Sequence, residues 1–376
     1  MPDQSTVKKK NANIEFLRLM SLSFVVFAHL LDKGGGLADV TASNNPTPYV
    51  AWLIESFVVV CINVFMLISG YYLVNSRFRL GRLIEIVFAA VFYSAGAFIV
   101  CLLAGVVSLE GADVYSFLDK IFPIHMNLYW FITGYVIIYM ASPLLNKGLK
   151  ALSEKQLRLV LLLFLLYECV LKSILPVRLS TDMLGYSTFW MFIVYMAGAY
   201  IRLHGLKMTE KPSRALLIYV ISSVAVFAEN VIIMFISAKF GRLKELHGVA
   251  LEHNHIFLFI GALGLFGFFL NKKPMKEGLS KIVLALSPMA LGIYLIHENM
   301  SVRYKWPGWL GLTEMDKLSP PLFLIKLIYG VLFVVIAGLL VDFIRIRLVE
   351  LIRKLTKKSK LTAAMKRFDR AINGEE

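Results

Sequence analysis

The sequence is short of cysteine, of acid and of any long polar stretch. Its 376 residues include only three cysteines, Cys61, Cys101 and Cys169, each within an apolar run and none in a CxxC pair. That spacing excludes a disulfide framework and a cysteine zinc site, so the thiols are expected to pack, and no metal is expected. Charged residues are 17% of the chain, with 25 acidic against 40 basic. No stretch between the apolar runs is long enough for a soluble domain, and neither a repeat nor a linker stands out. What is present is apolar: 58% hydrophobic residues and a mean hydropathy of +0.70, which rule out a soluble globular chain.

Several apolar runs approach the ~20 residues that a helix needs to cross ~30 Å of hydrocarbon. The expected fold is all-α, a polytopic integral membrane protein with about ten transmembrane helices. They fall near 14–31, 50–73, 83–107, 127–145, 157–175, 187–203, 214–237, 254–270, 282–299 and 322–344. The net charge of +15 would point to nucleic acid in a soluble domain. Here the lysines and arginines sit in short loops, which points to topology instead, with no nucleic acid partner. With the N-terminus inside, most of the basic residues fall on the cytoplasmic side: Lys8 to Lys10, Arg77 to Arg82, Lys147 to Arg158, Arg202 to Arg214, Lys272 to Lys281 and those from Arg345 onward. An even number of spans then puts both termini in the cytoplasm.

The expected organisation is a cytoplasmic segment 1–13, a transmembrane domain 14–344 and a basic cytoplasmic tail 345–376. Arg18 interrupts the first apolar run and no small-residue cleavage site follows it, so this run reads as an uncleaved span rather than a signal peptide. The tail is amphipathic and basic. It suits a helix lying on anionic headgroups, or an extension of the last span with a solvated face.

Ionisable groups inside a span cost several kcal/mol, ~2.5 to 3.5 for Arg at the centre, and therefore face cavities or partners. Arg18 and His29 are eleven residues apart, which returns to within ~20° of one helix face with a rise of ~16 Å. Arg18 then lies near the cytoplasmic end of the span and His29 near the outer end. On the outer side also lie Glu55, His125, Asn127, Tyr129, Trp130, Tyr294 and His297, with Glu168 and Glu229 in outer halves of their spans. On the inner side lie Ser69, Gly70, Arg77, Arg79 and Arg82. Arginines suit phosphates, through charge-assisted hydrogen bonds. Histidines and carboxylates suit proton transfer. Tyr129 and Trp130 equally fit an interfacial aromatic belt, and Arg77, Arg79 and Arg82 equally fit topology alone.

Five motifs carry a resemblance: Arg18 and His29 in the first span, NVFMLISGYYL ending the second, RFR at Arg77 and Arg79, LYWFITGYVIIYMASPLL with Trp130 and Pro143, and LGIYLIH from Tyr294 to His297. Together they resemble the membrane-bound acyltransferase family 3, the O-acyltransferases of bacterial surface polysaccharides and related acceptors. The resemblance implies an acyl-CoA donor, most simply acetyl-CoA, entering from the cytoplasm of a bacterial inner membrane. It also implies an acceptor hydroxyl on an extracytoplasmic or lipid-linked saccharide. His29 would be the catalytic histidine, with Arg18 and Glu55 beside it in the reaction. Arg18, Ser69, Arg77, Arg79 and Arg82 would hold the acyl-CoA, and His125, Tyr129, Trp130, Tyr294 and His297 would face the acceptor. Shared depth, apart from the resemblance, makes Glu55, His125 or His297 the candidate partners that orient His29. The chain departs from its relatives in reading IEFLR, with Glu15, where many have DGLRG, and it has no room for the extra hydrolase-like domain some of them carry.

A membrane transporter or flippase for a polyanionic or glycolipid substrate is the alternative, since it too would use buried charges. No inverted repeat and no matched pair of Gly/Pro-broken spans supports it. A polysaccharide polymerase would need a large outer loop with paired arginines, and the longest outer loop holds only Arg303, Lys305 and Lys317.

Overall fold

A computed structural model describes residues 10–42, 44–109, 113–175, 183–357 and 359–375. Lys8, Lys9 and Lys358 of the expected cytoplasmic segments lie outside the described residues. In hydrocarbon a backbone must satisfy its own hydrogen bonds, and helices do so within one segment; no strand occurs among the described residues.

The chain runs α1 (Ala12–Lys33), α2 (Thr47–Val58), α3 (Cys61–Leu73), α4 (Leu80–Leu103), α5 (Val114–Ile121), α6 (Trp130–Ala151), α7 (Glu154–Leu165), α8 (Leu171–Ile174), α9 (Thr188–His204) and α10 (Pro212–Phe240). It continues through α11 (Ile256–Asn271), α12 (Glu277–Leu286), α13 (Ala290–His297), α14 (Trp306–Trp309), α15 (Pro320–Thr356) and α16 (Lys360–Asn373). Among the described residues, seven stretches are long and apolar enough to cross a membrane: Ala12–Lys33, Thr47–Leu73, Leu80–Leu103, Pro212–Phe240, Lys244–Asn271, Glu277–His297 and Pro320–Thr356. The other three expected spans are helical too, as α6, the α7–α8 stretch and α9.

Several expected spans are not single straight helices. The second breaks at Val59–Val60, between α2 and α3. The fifth contains a π-helical turn at Leu166–Val170. The ninth passes through a 3-10 turn at Ser287–Met289 and ends at His297, leaving Glu298 and Asn299 outside the helix. The last span runs past residue 344 to Thr356, so the basic tail begins inside α15.

Close approaches hold the bundle together where one side chain has been deleted. A Cβ at Gly70 would sit 2.0 Å from the Tyr195 carbonyl oxygen, and one at Gly198 would sit 2.3 Å from that of Leu67. Glycine at both positions lets α3 and α9 touch backbone to backbone, the small-residue packing that replaces hydrophobic drive between membrane helices. Gly292 and Gly338 do the same for α13 and α15, where an added Cβ would meet atoms 2.4 to 2.6 Å away. Beside that crossing Arg345 makes a two-pronged pair with Asp342 at 2.6 and 2.8 Å, and the Tyr93 hydroxyl donates to Asp342 at 3.2 Å. The buried charges thereby neutralise each other.

The start of α1 and the tail helix α16 lie at the same end of the bundle. The Asn13 amide donates to the Lys272 and Lys273 carbonyls, each at 3.2 Å. From α16, Asp369 accepts the Leu80 N–H at 2.7 Å and Asn373 exchanges hydrogen bonds with both backbone groups of Phe78. The tail helix is thus docked on the RFR turn that starts α4. At the opposite end the loops knit to each other: the Met315 N–H donates to the Gly34 carbonyl at 3.0 Å, and the Thr47 hydroxyl to that of Leu318 at 2.6 Å.

Candidate active site

The side chains of Arg18 and His29 keep 28% and 27% of their surface open. Glu15, one helical turn before Arg18, accepts from its guanidinium at 3.1 Å. Arg18, Lys10, Ser69, Arg82 and Tyr135 line a cavity of about 360 Å³ among α1, α3, α4, α6 and α13. Arg82 donates to the Tyr135 hydroxyl at 3.2 Å and lies over the Tyr139 ring. Three of the expected donor residues therefore share one cavity. Arg77 and Arg79 do not line it: Arg77 pairs with Glu375 at 2.9 Å, and Arg79 is exposed while its backbone is clamped by the Tyr139 hydroxyl.

At the other end His29 meets His297 across the α1–α13 packing. Their Nδ1 and Nε2 atoms are 3.0 Å apart, and the Glu298 carboxylate is 3.0 Å from the same His29 Nδ1. Geometry sets the protons. The Ile293 carbonyl can only accept, so His297 Nδ1, 2.6 Å away, carries the hydrogen. A neutral His297 then presents a lone pair at Nε2, and His29 Nδ1–H donates to it and to Glu298. That leaves the lone pair of His29 on Nε2, for which no hydrogen bond occurs among the described residues. A carboxylate behind Nδ1 and a free Nε2 in front is the arrangement by which a carboxylate orients a general base and stabilises its protonated form.

Glu298 is held in turn by Lys33 and by Arg303, the latter at 2.8 Å. Asn299 donates to the Tyr93 carbonyl at 2.9 Å and to the Tyr129 hydroxyl at 3.0 Å, while that hydroxyl donates to the Leu295 carbonyl. Tyr129, Tyr294 and His297 are buried here, whereas Trp130 is half-buried and stacks on His253 at 5.9 Å beside Tyr186. Asn63 of the NVFMLISGYYL stretch holds the His253 carbonyl and accepts from Trp190.

Two expected partners of His29 fall elsewhere. Glu55 is buried in α2, with no hydrogen bond or ion pair to His29 and none at all for its Oε2 among the described residues. His125 is exposed, on a turn against Phe122. Of the expected outer-half carboxylates, Glu229 faces His255 at 3.3 Å, and the Asn254 amide donates to the Glu168 backbone carbonyl. The missed residues, Glu298, Lys33 and Arg303, had a signal: Lys33 is one helical turn after His29 and Glu298 directly follows His297.

His29, His297 and Glu298 bring ligand atoms within 4.8 Å of one another, close enough to surround a cation. Lys33 and Arg303 already place two positive charges on the carboxylate, which opposes a divalent ion there.

The cavity at Arg18 and the histidine pair are separated by rings. Phe131, in the cavity wall, packs edge-on against Tyr294 at 6.2 Å, and Tyr294 packs edge-on against His297 at 6.2 Å. His29 is not in the cavity lining, so the two sites share a helix face but are divided by this aromatic layer.

A family model described as an acyltransferase domain matches residues 11–341, from the cap of α1 into α15. No curated protein and no solved structure matches the chain.

Proposed function

The chain belongs to this acyltransferase family, and from that premise we propose that it moves an acyl group, most simply acetyl, from acyl-CoA to a hydroxyl of an extracytoplasmic or lipid-linked saccharide. The observation that carries the reading is the Glu298–His29 pair, a base oriented for hydroxyl chemistry. His29 Nε2 removes the proton of the acceptor hydroxyl as its oxygen attacks the thioester carbonyl carbon. Glu298 stabilises the imidazolium that forms, and His297 fixes the ring. Lys33 and Arg303 bring positive charge to the neighbourhood where the oxyanion develops. The carbon–sulfur bond then breaks, and the imidazolium returns its proton to the departing thiolate.

On this reading the donor enters at the Arg18 end. A cavity of about 360 Å³ is too small for a whole acyl-CoA, so it would take the narrow pantetheine arm. The phosphates would stay at its rim with Lys10, Arg18 and Arg82, and with Arg77 and Arg79 on the turn outside. The ~16 Å rise from Arg18 to His29 is comparable with that arm. Passage requires the Phe131 and Tyr294 rings to turn aside. The basic loops at this end support placing it in the cytoplasm of a bacterial inner membrane.

The test uses sealed membrane vesicles of both orientations and acetyl-CoA labelled in its acetyl group. Label is expected in the saccharide fraction only when acetyl-CoA reaches the face bearing Arg18. Transfer only from the opposite face, or from neither, would overturn the reading.

A further inference from the structure

A second cavity, of about 750 Å³, lies on the far side of His297, between α4 and α15. Its walls are almost wholly apolar, with Phe92, Val100, Phe333 and Val334 among them, and His297 and Trp306 close one end. The size is that of a pocket for a small ligand, ~300–1,000 Å³. The helices that frame it expose Ile99, Leu332 and Ile336 outward, so its mouth faces hydrocarbon rather than water.

Polar groups gather at the His297 end. The Trp306 ring is 4% exposed, stands edge-on to His297 at 6.2 Å, and its Nε1 finds no hydrogen-bond acceptor among the described residues. Lys305, exposed, reaches across this end to the Val106 carbonyl at 2.8 Å. An apolar trough thus ends at an unused indole N–H, with Lys305 held across that end on the carbonyl of the lining residue Val106, against the wall that holds the His29–His297 pair.

We propose that this groove binds the hydrocarbon chain of a lipid-anchored acceptor whose head group is a phosphate ester. The chain enters sideways from the bilayer between α4 and α15. The phosphate meets Lys305, through the charge-assisted hydrogen bonds that favour such oxygens, and the free Trp306 N–H. The head group beyond it is presented at the histidine pair. Its role as acceptor rests on the acyl-transfer reading; the binding does not.

The probe is a hexadecyl phosphate carrying a diazirine in its chain, photolysed with the full-length protein in phosphatidylcholine vesicles. A hexadecyl trimethylammonium diazirine is the charge control. Label from the phosphate probe is expected on α4, α15 and residues 302–310, well above α10, which also faces lipid. Gly96→Phe should weaken it about tenfold, or ~1.4 kcal/mol; Gly96 lines the groove and a Cβ there meets nothing within 4 Å, so the backbone position accepts a side chain. Ala337→Phe, on the facing helix, gives a second blocked variant should the first fold poorly. Lys305→Glu should weaken labelling by the phosphate probe and spare the ammonium probe. Equal labelling of all lipid-facing helices, or labelling untouched by both blocked variants, overturns the proposal and leaves the groove filled by bulk lipid. Wild-type protein that labels but transfers no acetyl group would count against the acyl-transfer reading while the binding stands.

Discussion

At the Arg18 end, polar side chains line an open cavity with few partners: Arg18 has Glu15, and Arg82 has one tyrosine hydroxyl. At the His29 end, Glu298 alone contacts Lys33, His29 and Arg303, and the ring of His297 is used at both nitrogens. The first arrangement leaves guanidinium donors free for a ligand that brings negative charge. The second fixes a tautomer before any substrate arrives, which is what proton transfer requires. One helix carries both because a separation of eleven residues returns to the same face.

The comparison breaks most severely at Glu298. Glu298→Gln should lower acyl transfer by about 10²–10⁴-fold, the range of a general-base contribution. It should also cost about 3–5 kcal/mol of stability by stranding buried Lys33, read as thermal melting in detergent. Adding Lys33→Met should recover most of the melting temperature and none of the activity, which separates orientation of the base from support of the fold. His297→Phe should reduce transfer by about 10²-fold, with acetyl-CoA binding unchanged in a calorimetric titration.

At the other end the expected signature is reversed. Arg82→Ala should raise KM for acetyl-CoA about tenfold while kcat stays within about twofold, because a phosphate contact acts on ground and transition states alike. A fall in kcat equal to that of Glu298→Gln would mean the two ends are not separate in function. The smallest effect is expected at the tail: Asp369→Ala removes the acceptor for the Leu80 N–H and should cost about 1 kcal/mol, as for loss of a helix cap. Protease protection of the 357–375 region measures it.

Much of this was legible beforehand. Hydropathy located all ten helical stretches, and the spacing of Arg18 and His29 gave both their shared face and their separation. His297 is marked by its depth at the outer end of its span and by the LGIYLIH motif. Its neighbour Glu298 was passed over because a charged residue at a helix end already has an explanation in topology. Glu55 was favoured over it for depth alone, and depth does not fix azimuth. The break at Val59–Val60 carries no glycine or proline to announce it. The docking of α16 depends on the side chains of Asp369 and Asn373 meeting a turn nearly three hundred residues away in sequence, which periodicity cannot encode.

The central claim is that α1 binds the donor at one end and does chemistry at the other. It is tested most directly by measuring acetyl-CoA affinity and acetyl transfer on the same preparation of His29→Ala. A dissociation constant equal to that of the wild type is expected, with transfer lost. Transfer at the wild-type rate by a normally folded His29→Ala protein would contradict it.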